Sequence, residues 1–354
     1  MRVALVDLAT TKGHRLFNSN MLGALKANGL EVTTVSSGTA FFNPSDVDIV
    51  IPDCFYVELD KVVPVPVRKL REMKRVLWAI NYLKKFKPWD LILVSSFETV
   101  SFSLLSASFS SLSRNTIAFL HYNVDDAARS VLKRALLRSV SRQVTLVALE
   151  PFIADFASKL LRREVVHVPE ILSSSGLPRG DSGSLVPSGR ILVFAPSGSN
   201  AADLQELLIS AEPEFRDKGI VVVAKGRTEY ISDSVIVKQY FSDTEYEKFM
   251  SDCSVVLALL RKGFNYRASG VVYDACLAGK PIISNQSMFA DYMHQKYGNP
   301  VYIIQNISAE SIGNGIDFVL NEWDRSWNYE QFLYDHSVEA FVEALHSVVI
   351  NSLH

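Results

Sequence analysis

Residues 255–285 read VVLALLRKGFNYRASGVVYDACLAGKPIISN. The apolar run 255–260 has the length and composition of a strand buried on both faces. A polar loop follows, and the small and apolar residues from Val271 onward predict a helix. Gly279-Lys280-Pro281 ends that helix, because glycine suits the turn beyond a helix end and proline cannot continue it. Ile282-Ile283 then opens another strand. Strand, loop, helix and strand in this order make the repeating unit of a parallel sheet covered by helices.

The same alternation runs outward in both directions. Apolar, largely β-branched runs lie at 3–6, 32–35, 49–51, 91–94, 117–120, 144–148 and 165–168 on one side of a Ser/Gly/Pro-rich segment. On the other side they lie at 191–195, 220–224, 235–237, 255–260, 281–284 and 301–304. Helices are predicted at 17–28, 67–87, 132–139 and 151–161, then near 201–211, 243–252, 271–278 and 309–321, with a last one at about 329–351. In the helix at 67–87, Val67, Leu70, Met73, Leu77, Ile80 and Leu83 form one apolar stripe. The intervening segment 173–189 holds 12 Ser, Gly or Pro among 17 residues and reads as a linker. The expected fold is α/β, with two doubly wound, Rossmann-like domains: 1–172, then the linker 173–189, then 190–354. The long apolar face of 329–351 suits a return of that helix to the first domain. Ligands of open parallel sheets lie beyond the carboxyl ends of the strands, so the expected site is a cleft between the two sheets.

Composition narrows the class. The 354 residues are 48% hydrophobic and 21% charged, which excludes a disordered or fibrous chain. Cys54, Cys253 and Cys276 are scattered, form no CxxC pair and fit a reducing, cytoplasmic compartment. The N-terminus does not read as a signal peptide, and no run reaches membrane-span length. There is no P-loop, no GxGxxG after the first strand, no GxSxG, no HExxH and no metal-ligand spacing among the histidines. Asp46-Val47-Asp48 precedes a strand instead of following one and reads as a solvated turn. Asp125-Asp126 reads as a helix start, and Glu98 as a helix cap after the run 91–94.

The loop of the opening stretch gathers chemistry. Ser269 and Gly270 fall at a helix N-terminus, where free amides and the positive dipole end attract an anion. Arg261, Lys262 and Arg267 put three cations in the same loop, enough to neutralise a diphosphate without a metal. Asp274, one turn in, suits two ribose hydroxyls. The competing reading is an ordinary N-cap with solvated cations.

The run from Asp252 to Asn285 resembles the signature region of retaining GT-B glycosyltransferases with the E-x7-E motif: two acids eight positions apart, a small-residue helix and a Gly-Lys-Pro turn. Weaker likeness spans most of the chain. Residues 237–246 resemble the strand, turn and capped helix before the motif, and 147–151 the strand-to-helix turn before the linker. The resemblance implies a nucleotide-diphosphate sugar, UDP- or GDP-linked, as the donor substrate and no separate cofactor. It places the second acid on Asp274 and the first on Tyr266, which would stand beside the donor sugar. His121, after the run 117–120, matches the family's catalytic histidine; by position alone a structural role is equally open. The family's basic residues after the first strand of the second domain are absent, and Lys225 joins Arg261, Lys262 and Arg267 as substitutes. Lys12, Gly13 and His14, after the first strand, would line the acceptor side. The activity implied is metal-independent transfer of a sugar to a hydroxyl of a glycan or lipid-linked acceptor. The loss of the first acid supports an alternative, a non-catalytic subunit of this fold that binds a partner transferase or a glycan.

Charge is unevenly distributed. Residues 1–172 hold 22 Lys and Arg against 16 Asp and Glu, and residues 173–354 hold 14 against 22. The excess concentrates at 67–87 and 129–142. Solvated helix faces account for such runs; the alternative is attraction of the basic half to an anionic membrane surface. No nucleic-acid motif accompanies the charges.

Overall fold

The computed structural model describes residues 1–9, 15–41, 43–56, 63–172, 189–196, 201–260, 263–298, 301–322 and 327–351. The chain forms two compact units: Met1–Leu172 together with Asp335–His354, and Ser173–Tyr334.

In the first unit the elements run β1 (Arg2–Asp7), α1 (Arg15–Ala27), β2 (Glu31–Ser36), β3 (Ile49–Val50), α2 (Val65–Lys85), β4 (Trp89–Ser96), α3 (Thr99–Ser110), β5 (Ser113–Leu120), α4 (Asn123–Arg129), α5 (Val131–Ser139), β6 (Val144–Ala148), α6 (Pro151–Leu161) and β7 (Val165–His167). The seven strands pair in parallel in the order β3-β2-β1-β4-β5-β6-β7. That is a doubly wound sheet whose order reverses at β1. Val3–Val6 and Leu91–Val94 are fully buried because helices cover both faces, so both alternate sets of side chains are apolar.

The second unit runs β8 (Ile191–Ala195), α7 (Ala201–Ser210), α8 (Glu212–Asp217), β9 (Ile220–Lys225), β10 (Tyr230–Ile231), β11 (Val235–Lys238), α9 (Asp243–Asp252), β12 (Val255–Leu257), α10 (Gly270–Leu277), β13 (Ile282–Asn285), α11 (Met288–Tyr297), β14 (Val301–Ile304), α12 (Ala309–Asn321) and α13 (Tyr329–Asp335). Its sheet has the order β10-β11-β9-β8-β12-β13-β14, parallel except for the β10–β11 hairpin at the edge. The final helix α14 (Val338–Asn351) belongs to the first unit.

Several expectations need correction. The helix expected at 329–351 is two helices. Asn328 Oδ1 accepts from the Gln331 amide to start α13, and Ser337 Oγ accepts from the Ala340 amide to start α14. Two polar caps, Asn328 and Ser337, nine residues apart, divide what the apolar pattern alone joins. The run 255–260 is a strand only to Leu257. Beyond it one backbone bond remains, from the Ala258 amide to the Ile283 carbonyl; Ser284 Oγ then donates to the Ala258 carbonyl at 2.9 Å and Asn285 Oδ1 accepts from the Leu260 amide at 2.6 Å, so side chains take over from the ladder. The stripe on α2 is half wrong: Val76, Ala79, Ile80, Leu83 and Arg75 are buried, whereas Val67, Leu70 and Leu77 face solvent. Helices α8 and α11 are additions to the expected set, and α3 and α4 are expected only as the helix starts at Glu98 and Asp125-Asp126. Helix α3, TVSFSLLSASFS, is rich in serine and has no polar face whose period would announce it.

Candidate functional site

In the second unit, β9, β8, β12 and β13 are neighbouring parallel strands, so their carboxyl ends share one edge. The chain leaves β12 along the buried residues Ala258, Leu259 and Leu260. The Ser284 and Asn285 bonds hold this segment against β13 and thereby aim the loop that follows. In that loop the Arg267 guanidinium stacks on the Phe264 ring, 3.9 Å from its centroid, which fixes the cation's plane.

The chain then enters α10. Ser269 is buried with extended backbone geometry at the N-cap position, yet its hydroxyl makes no cap bond. Ser269 thus holds the N-cap position that the competing reading gives it, but its side chain does not close the helix end. The amides of the first turn point beyond the helix without a capping oxygen from Ser269, the arrangement that receives anions. A Cβ built on Gly270 would meet nothing within 4 Å, so open space lies against this backbone.

Asp274 sits one turn deeper, half-buried. Its Oδ2 accepts a 2.6 Å hydrogen bond from the Tyr246 hydroxyl on α9. Burial pushes the Asp274 carboxyl up to about 6, against the downward pull of the Tyr246 bond. The same burial, with the negative charge of Asp274, pushes the Tyr246 hydroxyl well above its usual range. The Tyr246 ring packs edge-on against Phe194 of β8. Helix α9 is set by a capping box: Ser242 Oγ accepts from the Glu245 amide, and Glu245 Oε2 accepts from the Ser242 amide. Tyr246 follows that box directly. Its partnership with Asp274 escaped the sequence reading, since 28 residues and the intervening strand β12 separate them.

The structure thus brings Arg267, Ser269, Gly270 and Asp274 to one helix start, with Tyr266 adjoining. Lys225 closes β9 on the same edge, two strands from β12. Arg261 and Lys262 lie outside the described residues, as do Lys12, Gly13 and His14.

In the first unit His121 follows β5 at its carboxyl end. Its Nε2 lies 2.7 Å from the Ser95 carbonyl oxygen, and its ring meets Phe17 edge-on at 5.0 Å. A carbonyl oxygen only accepts, so Nε2 carries the proton in the neutral ring and Nδ1 carries the lone pair. Asn123 supports the turn: its Oδ1 accepts from the His121 amide, and its Nδ2 donates to the Phe97 carbonyl and Thr99 Oγ1. Beside it, Glu98 caps α3 through the Val100 and Ser101 amides and pairs with Lys69 at 2.6 Å. Burial pushes the Glu98 carboxyl up, but Lys69 and the two amides outweigh it and leave it below its usual value.

Asp48 Oδ2 accepts from the Thr34 amide and hydroxyl, so it fastens a turn to β2. Asp125 and Asp126 lie inside the first turn of α4, not at its cap, and Asp126 pairs with Lys133. Among the described residues no group of three His, Cys, Asp or Glu is placed to hold a metal. A concavity of about 1160 Å³ opens in the first unit at the amino ends of β4, β5 and β6, lined by Trp89, Asp90, Arg114 and Arg142. It lies at the opposite end of the sheet from His121.

No known protein family and no curated protein sequence matches the chain. Solved structures do. Anabaena HepE, solved in complex with UDP and glucose, is similar over 98% of this chain and 99% of its own, with a TM-score of 0.67 and 11% identity. A glycosyltransferase from Rickettsia africae is similar over 99% and 98%, with a TM-score of 0.64 and 12% identity. A UDP-N-acetylglucosamine 2-epimerase from Rickettsia bellii is similar over 99% and 97%, with a TM-score of 0.64 and 14% identity. These likenesses show the fold, which is the two-unit GT-B fold along the whole chain.

Proposed function

We propose that this chain is a glycosyltransferase that moves a sugar from a UDP- or GDP-linked donor to a hydroxyl of a glycan or lipid-linked acceptor, without a metal. The observation that carries the reading is the start of α10, where the Ser269 hydroxyl makes no cap bond, beside the stacked Arg267 and with Asp274 one turn deeper. In this reading the amides of the first turn and Arg267 hold the diphosphate, helped by Lys225 at the same sheet edge, with Arg261 and Lys262 as the further cations that the sequence supplies. Fixed donors aimed at the diphosphate stabilise the charge that develops there as the glycosidic bond breaks. Asp274 accepts from the ribose hydroxyls, oriented by Tyr246. Tyr266 stands beside the donor sugar in place of the family's first acid. His121, with its lone pair on Nδ1, bonds the donor sugar or takes the acceptor proton. Lys12, Gly13 and His14 line the acceptor side. The free thiols Cys54, Cys253 and Cys276 suit a reducing, cytoplasmic compartment.

Two solved structures of similar fold support a uridine nucleotide as the first ligand to try. Anabaena HepE was solved with UDP-glucose, and the epimerase of similar fold is named for a UDP-sugar. The replacement of the motif's first acid by Tyr266 favours the second reading, a non-catalytic subunit that binds a partner transferase or a glycan. A thermal-shift series with UDP, GDP and CDP, followed by a search for nucleotide release from the matching sugars, separates them. Binding with release supports the transferase, binding without release supports the subunit, and no shift with any nucleotide refutes the placement.

A further inference from the structure

Helices α2, α3 and α5 lie side by side over one face of the first unit's sheet. Each leads into or away from a parallel strand, so their N-terminal turns share the carboxyl edge of that sheet, where His121 stands. Lys69 of α2 reaching Glu98 at the start of α3 marks this shared edge. The outer side of the layer is unusually apolar. Helix α3 carries no charged residue over its 12 positions, and Leu104 on it is 56% exposed. To one side, α2 exposes Val67, Leu70 (54%) and Leu77; to the other, α5 opens with Val131 and Leu132 (69%), both exposed. Single exposed leucines need no explanation, but six large apolar side chains across three adjacent helices form a patch.

The charges on these helices are mostly of one sign, although Lys69 pairs with Glu72 and Glu98 and Lys133 with Asp126. The three helices carry ten Lys and Arg against the single acid Glu72. Among the exposed positions of α2, 67, 70, 74, 77, 84 and 85 interleave Val67, Leu70 and Leu77 with Lys74, Lys84 and Lys85. Lysine is depleted in protein–protein interfaces, whereas a leucine face rimmed with lysine suits a lipid surface, where apolar groups enter and ammonium groups meet phosphate.

We propose that the outer face of α2, α3 and α5 docks on an anionic lipid bilayer, with Leu70, Leu104 and Leu132 entering the headgroup boundary and Lys74, Lys84 and Lys85 meeting the lipid phosphates. Binding therefore has an apolar part that salt does not remove, beyond the attraction that charge alone supplies. The proposal stands independently of the nucleotide site.

The test is co-sedimentation of the full chain with vesicles of phosphatidylcholine alone or mixed with phosphatidylglycerol, at low and at high salt. The wild type is expected to prefer the anionic vesicles and to keep part of its binding at high salt. Leu104→Glu with Leu132→Glu is expected to weaken binding at least tenfold at both salt concentrations. Lys74→Glu with Lys84→Glu abolishes the preference for anionic lipid. Ile231→Glu, an exposed apolar position on the second unit, leaves binding unchanged. A UDP thermal shift on every variant reports folding and the nucleotide site separately from the lipid readout. A wild type that ignores both vesicle types, a double leucine variant that binds as the wild type does, or a dimer that the same substitutions dissolve overturns the proposal.

Discussion

Replacing Tyr246 by phenylalanine removes one hydroxyl and keeps the ring that packs on Phe194. The lost bond is the 2.6 Å contact to Asp274 Oδ2. A hydrogen bond to a charged group contributes about 1.5–3 kcal/mol, and one pH unit corresponds to about 1.4 kcal/mol. The Asp274 carboxyl, already raised to about 6 by burial, therefore rises by about 1–2 units further. At pH 7 the wild-type group is about nine-tenths ionised; in Tyr246→Phe about one-tenth to one-half remains ionised. If the ionised carboxylate is the form that accepts from two ribose hydroxyls, UDP affinity at pH 7 drops roughly two- to tenfold and recovers near pH 9. Isothermal titration of UDP from pH 5 to 9 measures this. The wild-type affinity should fall as pH drops through about 6, and the variant's fall should lie at higher pH. Superimposable profiles, or tighter binding by the variant at pH 7, would refute the partnership. Stability gives an independent reading. The folded state holds this proton more tightly than the unfolded state, so the contribution is full below about pH 4 and is lost as pH rises through about 6. With the usual carboxylate near 3.8, the loss amounts to about 3 kcal/mol.

Arg267→Ala is expected to lower UDP affinity about tenfold with little change in urea midpoint, and an unchanged affinity would move the diphosphate elsewhere. His121→Ala should abolish nucleotide release from the donor sugar while leaving the UDP thermal shift intact, and retained turnover would return His121 to a structural role. The buried pair His336–Glu150 (2% and 1% exposed, 3.6 Å) holds the approach to α14. His336 Nδ1 faces the Glu170 carbonyl at 3.1 Å, so the contact of Nε2 with Glu150 is attractive only when both ring nitrogens carry protons. His336→Ala should destabilise the chain by about 1–3 kcal/mol in urea unfolding, since it leaves the Glu170 carbonyl without this partner, and a loss under about 0.5 kcal/mol, the level of an ordinary surface change, would dismiss the role of His336.

The sequence by itself determined the strands and the helix start. Continuous Val/Ile/Leu runs have one low-energy use in a chain of this composition, burial on both faces of a parallel sheet. All seven expected runs of the first unit form strands, in an order that reverses at β1. The 255–285 stretch placed Ser269 and Gly270 at the start of a helix and Asp274 one turn into it, as in α10, because a strand, a glycine and a Gly-Lys-Pro stop are local signals. What escaped was whatever depends on a partner distant in sequence. Tyr246 meets Asp274 only because β8, β12 and their flanking helices pack together. Helix α3 has no amphipathic period, since its buried face mixes serine and threonine with Phe102 and Phe109 while Leu104 faces solvent. The stripe on α2 was misassigned because periodicity finds an apolar face but not which part of it another element covers. Tertiary structure decides that: Arg75 is buried at 4% exposure, its guanidinium over Tyr56 and donating to the Ala9 carbonyl, while Leu70 is left outside. Local sequence fixes backbone conformation through hydrogen bonds and sterics within a few residues, whereas burial and carboxyl ionisation follow from what three-dimensional packing removes from water.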